Sequence, residues 1–301
     1  MRKFIVAKDT KKRHHVTLAT VHYELDRAQH YYRAITSCAP VSSAVVNWAS
    51  EIGRELMRLK TKPDFFSSEG QHKMQASNEA SKGLLKSFVM HLAPGKTSGF
   101  QVCASASPGC LEACLNMAGH GPIAPVQAGR IRRTLLLHNH PEIFGIMLYG
   151  MLHNLNRRKY QVAIRLNGTS DVVWERKARW IFDMFPSLTF YDYTKHHGRF
   201  RRKLPTNYHL TFSRSETNHE QAMDLLGRGV SVAMVFSKPI YQALVEHGSF
   251  YGSPVVDGAA DDRRWLDPAG SVVALKELGP AKADTSGFVM RDSLQAVGGI
   301  L

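Results

Sequence analysis

Short apolar runs alternate with helical stretches along most of the chain after Leu84. Eight runs rich in β-branched and aromatic residues predict strands: SFVMHLAP, SGFQVCA, YQVAIRL, LTFYDYT, NYHLTFS, VSVAMVFS, SPVVDG and SVVALKEL. Four stretches predict helices: IRRTLLLHNHPEIFGIMLYGMLHNLNRRK, divided near Pro141, DVVWERKARWIFDMF, NHEQAMDLLGRG and PIYQALVEHG. Apolar strands separated by helices are typical of a parallel sheet. About six such repeats favour an α/β fold, a complete or partial (β/α) TIM-like barrel.

The first 75 residues predict a basic, helical N-terminal extension. Apolar residues recur at helical spacing in VHYELDRAQHYYRAI and again in VVNWASEIGRELMRL. The polar stretch KTKPDFFSSEGQHKMQASNEASKG then predicts a linker or a long functional loop. We therefore expect a helical region over 1–75 and a barrel-like domain with a cysteine loop over 76–301.

Three of the four cysteines lie within twelve positions, at Cys103, Cys110 and Cys114. Thiolates are preferred ligands of soft metals such as zinc and of iron–sulfur clusters. Because FQVC is predicted to end a strand, the cysteine loop would lie at the mouth of a barrel. With His120 the three thiols would complete a structural zinc site, whereas without it one coordination position stays open for chemistry. The spacing does not distinguish zinc from an iron–sulfur cluster. Buried small thiols or a disulfide are the alternatives without a metal.

Polar clusters follow several predicted strands, at the edge where a barrel builds its active site. The candidate catalytic residues are Asp171, Asp192, Lys195 and Glu216. A carboxylate at a strand end can serve as nucleophile or general base, although Asp171 is equally suited to cap a helix over 172–185. Asp192 is expected to face the barrel interior, where a carboxylate costs several kcal/mol unless it is paired. That cost favours a functional role for Asp192.

The candidate substrate-binding residues lie near the same strand ends. They are Arg165, Asn167, Ser170, Thr194, Ser213, Arg214, Arg199, Phe200, Arg201, Arg202 and Asp257. The stretch KHHGRFRRK at 195–203 combines basic side chains with an aromatic ring, which suits a phosphate backbone and an unstacked base. The acidic loop that begins at Asp257 is also typical of a structural salt-bridge network.

The positive charge of the chain is unevenly distributed. The formal net charge is +14, with 15 Lys and Arg against 5 Asp and Glu over residues 129–203, and 7 against 11 over residues 216–301. A basic middle and an acidic end favour a nucleic-acid partner, with DNA preferred, over a merely solvated face. No apolar run is long enough to span a membrane, and the N-terminus lacks the apolar core of a secretory signal. We therefore expect a cytoplasmic protein without a membrane partner, and the sequence leaves its oligomeric state open.

Several stretches together resemble the phage proteins grouped as gene product 88. The stretches are CASASPGCLEACLNMAGHG, RLNGTSDVVWE, FYDYTK, NYHLTFSRSE and PVVDGAADDRRWLDPAGSVVALKELG, between about Asn78 and Phe288. The first cysteine loop of that family usually has the sequence Cys-Pro-Gly-Ala. In this chain the sequence is Cys-Ala-Ser-Ala, which keeps the cysteine but lacks the turn-forming Pro-Gly pair. The resemblance implies a phage origin, a cytoplasmic setting and the three-cysteine motif.

Two enzyme families share the general layout. The guanine-exchanging transglycosylases, including those that insert 7-deazaguanine into phage DNA, combine a barrel, a zinc site and aspartate nucleophiles. The chain resembles them in architecture, charge and setting, although its cysteines do not match their zinc spacing. The chain is also similar to radical S-adenosylmethionine enzymes, because a three-cysteine loop is followed along the chain by polar residues at a strand end. The spacing of its cysteines differs from the C-x3-C-x2-C of those enzymes. We therefore expect a metal-dependent enzyme that exchanges a nucleobase, with Asp171 or Asp192 as nucleophile. The alternatives are radical chemistry with S-adenosylmethionine, and a nucleic-acid-binding protein with a structural metal.

Overall fold

The computed structural model describes residues 18–67, 79, 81 and 84–291. Helices α1 to α9 are Leu18–Thr36, Ser43–Leu56, Pro108–Glu112, Ala124–Asn139, Pro141–Asn156, Trp174–Lys177, Trp180–Met184, His219–Gly227 and Lys238–His247. Strands β1 to β10 are Phe66–Ser67, Leu85–Met90, Gln161–Arg165, Thr189–Thr194, Tyr208–Ser213, Val232–Phe236, Ser249–Phe250, Ser253–Asp257, Val272–Lys276 and Val289–Met290. None of the helices in these ranges is both long and apolar enough to cross a bilayer.

The strands form one mixed sheet in the order β1-β2-β3-β4-β5-β6-β9-β8-β7, and β10 pairs with β6. Strands β2 to β6 are parallel neighbours in chain order, which is the winding expected of a (β/α) barrel. The order then reverses, because β9 enters between β6 and β8, and β7 ends the sheet as an antiparallel edge strand. The α/β prediction is confirmed, but the sheet is open, and no pairing within the described ranges closes it into a barrel.

The two faces of the sheet are covered differently. Side chains along a strand point alternately to the two faces of a sheet. The face that packs against the helices carries Val162, Phe190, Tyr208, Phe212 and Val232. The opposite face carries Ala163, Arg165, Tyr191 and Tyr193, and the loop at 258–267 lies over part of it, with Trp265 against Tyr191. This opposite face corresponds to the interior of a barrel, and a loop occupies it here.

Helix α5 joins the N-terminal helices to the sheet. Its residues 143–150 are all buried, because the helix is apolar on every side and packs between the sheet and helices α1 and α2. Two glycines allow the close approach, with Gly145 against Tyr32 and Gly150 against Val46. Residues of α1 and α2 therefore share one hydrophobic core with β2 to β5. Residues 1–17 and most of the expected linker lie outside the described residues, so the division near residue 75 stays a prediction.

Two predicted elements differ from the structure. SGFQVCA is not a strand but an irregular loop, in which Gly99 takes a left-handed conformation (φ 86°) and Val102 donates to the carbonyl of Gly95. The predicted helix over 172–185 is instead two short helices, α6 and α7, broken at Ala178. Trp174 and Trp180 are both buried, yet six residues separate them, which is about 120° around a continuous helix. The break allows both indole rings to reach the core.

Candidate functional site

The cysteine loop lies over the carboxyl ends of strands β3 to β5. The Asp171 amide donates to the carbonyl of Val102 at 2.7 Å, and the Cys103 thiol lies 3.8 Å from the carbonyl of Thr169. At the other end of the loop, Glu216 accepts from Ser107 and from the Gly109 amide, both at 2.8 Å. The sequence prediction that thiols and polar strand ends share one edge of the sheet therefore agrees with these contacts.

Asp171 holds the end of β4 rather than capping a following helix. Its carboxylate accepts from the Thr194 hydroxyl at 2.7 Å and the Lys195 amide at 2.8 Å, and it lies 3.3 Å from Arg199. The side chain is mostly buried, with 11% of its surface exposed to solvent. Its charge also contributes to raising the pKa of Cys103, which places it beside the thiols.

Asp192 is fully buried on the helix side of the sheet, and not on the barrel-interior side that the sequence predicted. It accepts from the Asn167 amide at 2.7 Å, the Asn167 side chain at 3.2 Å and the Tyr208 hydroxyl at 2.7 Å. Burial nevertheless raises the pKa of Asp192 to about 7, against the lowering effect of these donors. Paired in this way, Asp192 is enclosed in the fold.

Asn167 and Ser170 hold the turn after β3. The Asn167 side-chain oxygen accepts from the Ser170 hydroxyl, the Val172 amide and the Trp174 indole at 2.8, 3.0 and 3.1 Å. Both polar side chains are buried, so their donors and acceptors are used within the protein. The substrate-binding role expected for them stays a prediction.

Arg199 and Phe200 also point inward. Arg199 is 3% exposed and forms a two-pronged pair with Glu175 at 2.9 and 2.7 Å, and it also donates to the Tyr208 hydroxyl at 3.0 Å. Phe200 packs edge-on against Phe212, with ring centroids 5.8 Å apart. The aromatic ring expected to stack on a base is therefore part of the hydrophobic packing. Arg199 links α6 to Asp171 and to the first residue of β5.

The polar residues at the end of β5 hold neighbouring segments. Glu216 fixes the amino end of α3 through the contacts given above, and the Arg214 guanidinium donates to the carbonyls of Gly287 and Phe288. The Ser213 carbonyl accepts from Asn218 at 3.1 Å. The Lys195 ammonium lies 5.5 Å from the centre of the Phe288 ring. Of the four predicted catalytic side chains, only Asp192 is fully buried, whereas Asp171, Lys195 and Glu216 each keep part of their surface exposed.

Arg165 and Asp257 lie away from this cluster. On the opposite face of the sheet, Arg165 pairs with Asp262 at 3.2 Å, and the Tyr191 and Tyr193 hydroxyls donate to the same carboxylate. Asp257 accepts from the Tyr241 hydroxyl and from the Ala259 amide. These contacts, with the Arg264–Asp267 pair at 3.3 Å, are the salt-bridge network that was the alternative interpretation of the acidic loop.

The three loop thiols lie near one another without forming a ligand set. Cys103, Cys110 and Cys114 are half-buried and free, and burial raises the pKa of Cys103 to about 11 and that of Cys114 above its ordinary value. Each of these two shifts also contains a contribution from the neighbouring thiols. His120 is exposed. Among the described residues, no three His, Cys, Asp or Glu side chains are arranged to hold a metal ion. Cysteine sulfurs are suitable ligands for a soft metal, but the positions of these three side chains do not form a metal site. Metal binding therefore stays a prediction.

A basic cleft of about 440 Å³ opens beside this edge, between α6 and the turn at His197–Arg201. We call it the basic cleft. Its cationic and imidazole lining residues are Arg176, Arg179, His196, Arg199, Arg201, Arg202 and Lys203. Arg176 and Arg179 lie in WERKAR, whose helical pattern by itself does not identify them as residues of a binding cleft. The run of three cations in that hexapeptide was the available signal.

The chain matches a model of a known protein family. A family model described as gene product 88 matches residues 47–292. No curated protein and no solved structure matches the chain at a significant level.

Proposed function

The chain belongs to the gene product 88 family, and from the geometry of this member we propose that it binds nucleic acid through the basic cleft. The observation that carries the proposal is the charge of the lining. Four of these cations form no salt bridge with any described residue, and all four are exposed: Arg176, Arg201, Arg202 and Lys203. Cations held side by side repel one another, so the cleft is stabilised when a polyanion neutralises them.

The cleft is suited to the phosphate backbone rather than to the bases. Its lining contains no Phe, Tyr or Trp side chain, because Phe200 packs on Phe212 instead of facing the cleft. Guanidinium groups bind phosphate oxygens in pairs without reading sequence, whereas recognition of unstacked bases depends on aromatic rings. We therefore infer binding that depends steeply on salt and little on sequence.

A second candidate function is modification of the bound nucleic acid at the neighbouring strand ends. The observation that favours it is that the cleft adjoins the strand ends. Arg199 lines the cleft and lies 3.3 Å from Asp171, and the charge of Asp171 contributes to raising the pKa of Cys103. Base exchange at this edge would use Asp171 rather than the enclosed Asp192 as nucleophile. Zinc or an iron–sulfur cluster at the thiols, with S-adenosylmethionine in the radical version, remains part of this candidate. Altered nucleosides in DNA or RNA from cells producing the protein, absent with Asp171→Asn, would support it.

The cleft is tested by fluorescence anisotropy with a labelled 5′-hydroxyl DNA duplex. The double variant Arg201→Gln/Arg202→Gln is expected to raise the Kd about tenfold and to reduce the slope of log K against log salt by about 2. The matched control is Arg157→Gln/Arg158→Gln, which removes the same charge from an exposed pair at the end of α5. The control should bind within about twofold of the wild type. Equal weakening by both double variants would show that net charge, and not the cleft, attracts the duplex.

A further inference from the structure

The basic cleft holds more positive charge than the carboxylates around it neutralise. Glu175 is the lining residue with a carboxylate, and its two oxygens accept from Arg199 at 2.9 and 2.7 Å. Arg179 pairs with Asp183 at 2.9 Å. The charge that remains belongs to four exposed cations, one from α6 and three from residues 201–203, that have no counter-ion among the described residues.

These four cations lie on the two sides of one small space. Arg176 belongs to α6, whereas the other three belong to the turn at His197–Arg201 or directly follow it. The cleft has a volume of about 440 Å³, and pockets of about 300–1,000 Å³ typically hold a single small molecule. Like charges around a space of this size repel one another. The cleft therefore favours an anion that brings several negative charges into that space.

A nucleic-acid strand brings few charges into so small a volume. Each phosphodiester carries one negative charge, and successive charges along a strand are separated by a whole nucleotide. A triphosphate group joins three phosphoryl groups directly, and each of them carries at least one negative charge. Guanidinium groups bind phosphate oxygens in pairs, so arginines on both sides of the cleft can contact one such group at the same time. A compact polyphosphate thus matches the cleft better than a passing strand does.

We propose that the basic cleft binds a triphosphate group, from a free nucleoside triphosphate or from the 5′ end of a strand. The inference rests on the proposed function, because it takes the same cleft as the anion site and names the anion. The lining has no aromatic ring to stack on a base, so the phosphates supply the binding energy and the base contributes little. Inorganic tripolyphosphate is therefore a sufficient probe of the site.

Binding is measured by isothermal titration calorimetry of the intact protein with orthophosphate, pyrophosphate and tripolyphosphate, in buffer without magnesium. The Kd should fall at least about fivefold with each added phosphoryl group, because each one gains further charged donors. Arg176→Gln and Arg202→Gln, one on each side of the cleft, should each raise the Kd for tripolyphosphate at least about fivefold.

The matched control is Arg157→Gln, which removes the same charge from an exposed residue at the end of α5. It should change the Kd for tripolyphosphate by less than about twofold. All three substitutions are at exposed side chains, so each variant should fold. Orthophosphate that binds as tightly as tripolyphosphate, or a tripolyphosphate Kd that is unchanged in both cleft variants, would overturn the inference.

A nucleoside triphosphate and a short RNA with either a 5′-triphosphate or a 5′-hydroxyl distinguish the two sources of the group. If the triphosphorylated RNA binds more tightly than both the 5′-hydroxyl RNA and the nucleoside triphosphate, the source is a strand end. If it does not, the source is a free nucleotide.

The 5′-hydroxyl DNA duplex separates this inference from the proposed function. Duplex binding that is weakened in Arg201→Gln/Arg202→Gln, with no binding of tripolyphosphate, would overturn the triphosphate site alone. Tripolyphosphate binding that is weakened in Arg176→Gln, with duplex binding unchanged in the double variant, would overturn nucleic-acid binding through the cleft and support the triphosphate site.

Discussion

At the scale of single residues, the carboxylates at the strand ends divide by what surrounds them. Asp192 and Glu216 have their oxygens taken by donors from other segments, so they hold the fold together. Asp171 also has donors on both oxygens and, like Glu216, is partly buried, but its charge in addition reaches the Cys103 thiol. Residue type and spacing alone could not separate these roles, because each depends on which donors approach from elsewhere in the chain.

The buried carboxyl of Asp192 predicts a specific dependence of stability on pH. Its pKa is raised to about 7 in the folded protein, against about 4 in an unfolded chain. Between these values the folded state binds a proton that the unfolded state has released. The free energy of unfolding should therefore fall as pH rises from about 4 to about 7, by about 1.4 kcal/mol per pH unit from this group. Asp192→Asn should remove that contribution, as measured by urea denaturation across this range.

Tyr208→Phe provides the matched comparison. The Tyr208 hydroxyl donates to Asp192 and lowers the pKa of that carboxyl. Without it the pKa rises further, so the fall in stability should continue to higher pH than in the wild type. Parallel pH curves for the wild type and Asp192→Asn would show that Asp192 does not titrate in this range.

At the scale of elements, the cysteine loop depends on one remote anchor. Glu216, at the end of β5, accepts from Ser107 and Gly109 and so fixes the first turn of the short helix α3. A helix of five residues is not stable by itself, so contacts from outside must hold it. The positions of Cys110 and Cys114 therefore depend on a carboxylate more than a hundred residues away in the chain.

Glu216→Ala should release the loop and expose its thiols. We expect Cys110 and Cys114 to react several-fold faster with a disulfide reagent, because buried thiols react slowly. The free energy of unfolding should fall by about 1–3 kcal/mol, since the Ser107 and Gly109 donors lose their acceptor. Cys38 is exposed and remote from the loop, and its unchanged rate serves as the internal control. Loop thiols that react at the wild-type rate would contradict this anchoring role.

At the scale of the whole molecule, helix α5 makes the N-terminal helices part of the core. Its residues 143–150 are buried on all sides, with the sheet below them and α1 and α2 above them. The close contact with α2 needs a residue without a side chain at position 150, where a Cβ atom would lie 2.2 Å from a methyl group of Val46. The described part of the N-terminal region is thus a third layer on the sheet.

Gly150→Ala tests this packing. The added methyl group should lower the free energy of unfolding by about 1–3 kcal/mol, because the well-packed core must shift to accept it. Gly129→Ala in helix α4 is the control, since its Cβ atom would lie 3.6 Å from the nearest atom. There the better helix propensity of alanine should raise stability by up to about 1 kcal/mol. Both are measured by chemical denaturation, and a loss from Gly129→Ala equal to that from Gly150→Ala would argue against a tight α2–α5 contact.

The amino-acid sequence by itself determined the alternation of strands and helices, the helix pair divided at Pro141, the grouping of three thiols in one loop and the basic stretch that follows β4. These are local properties, because periodicity, proline and charge act within a few residues of the chain. Only the tertiary structure decided that the sheet stays open, that Phe200 turns inward and that Arg176 and Arg179 line the cleft. The reason is that strand order, burial and ion pairing depend on residues that are distant in the chain and meet only when the layers pack.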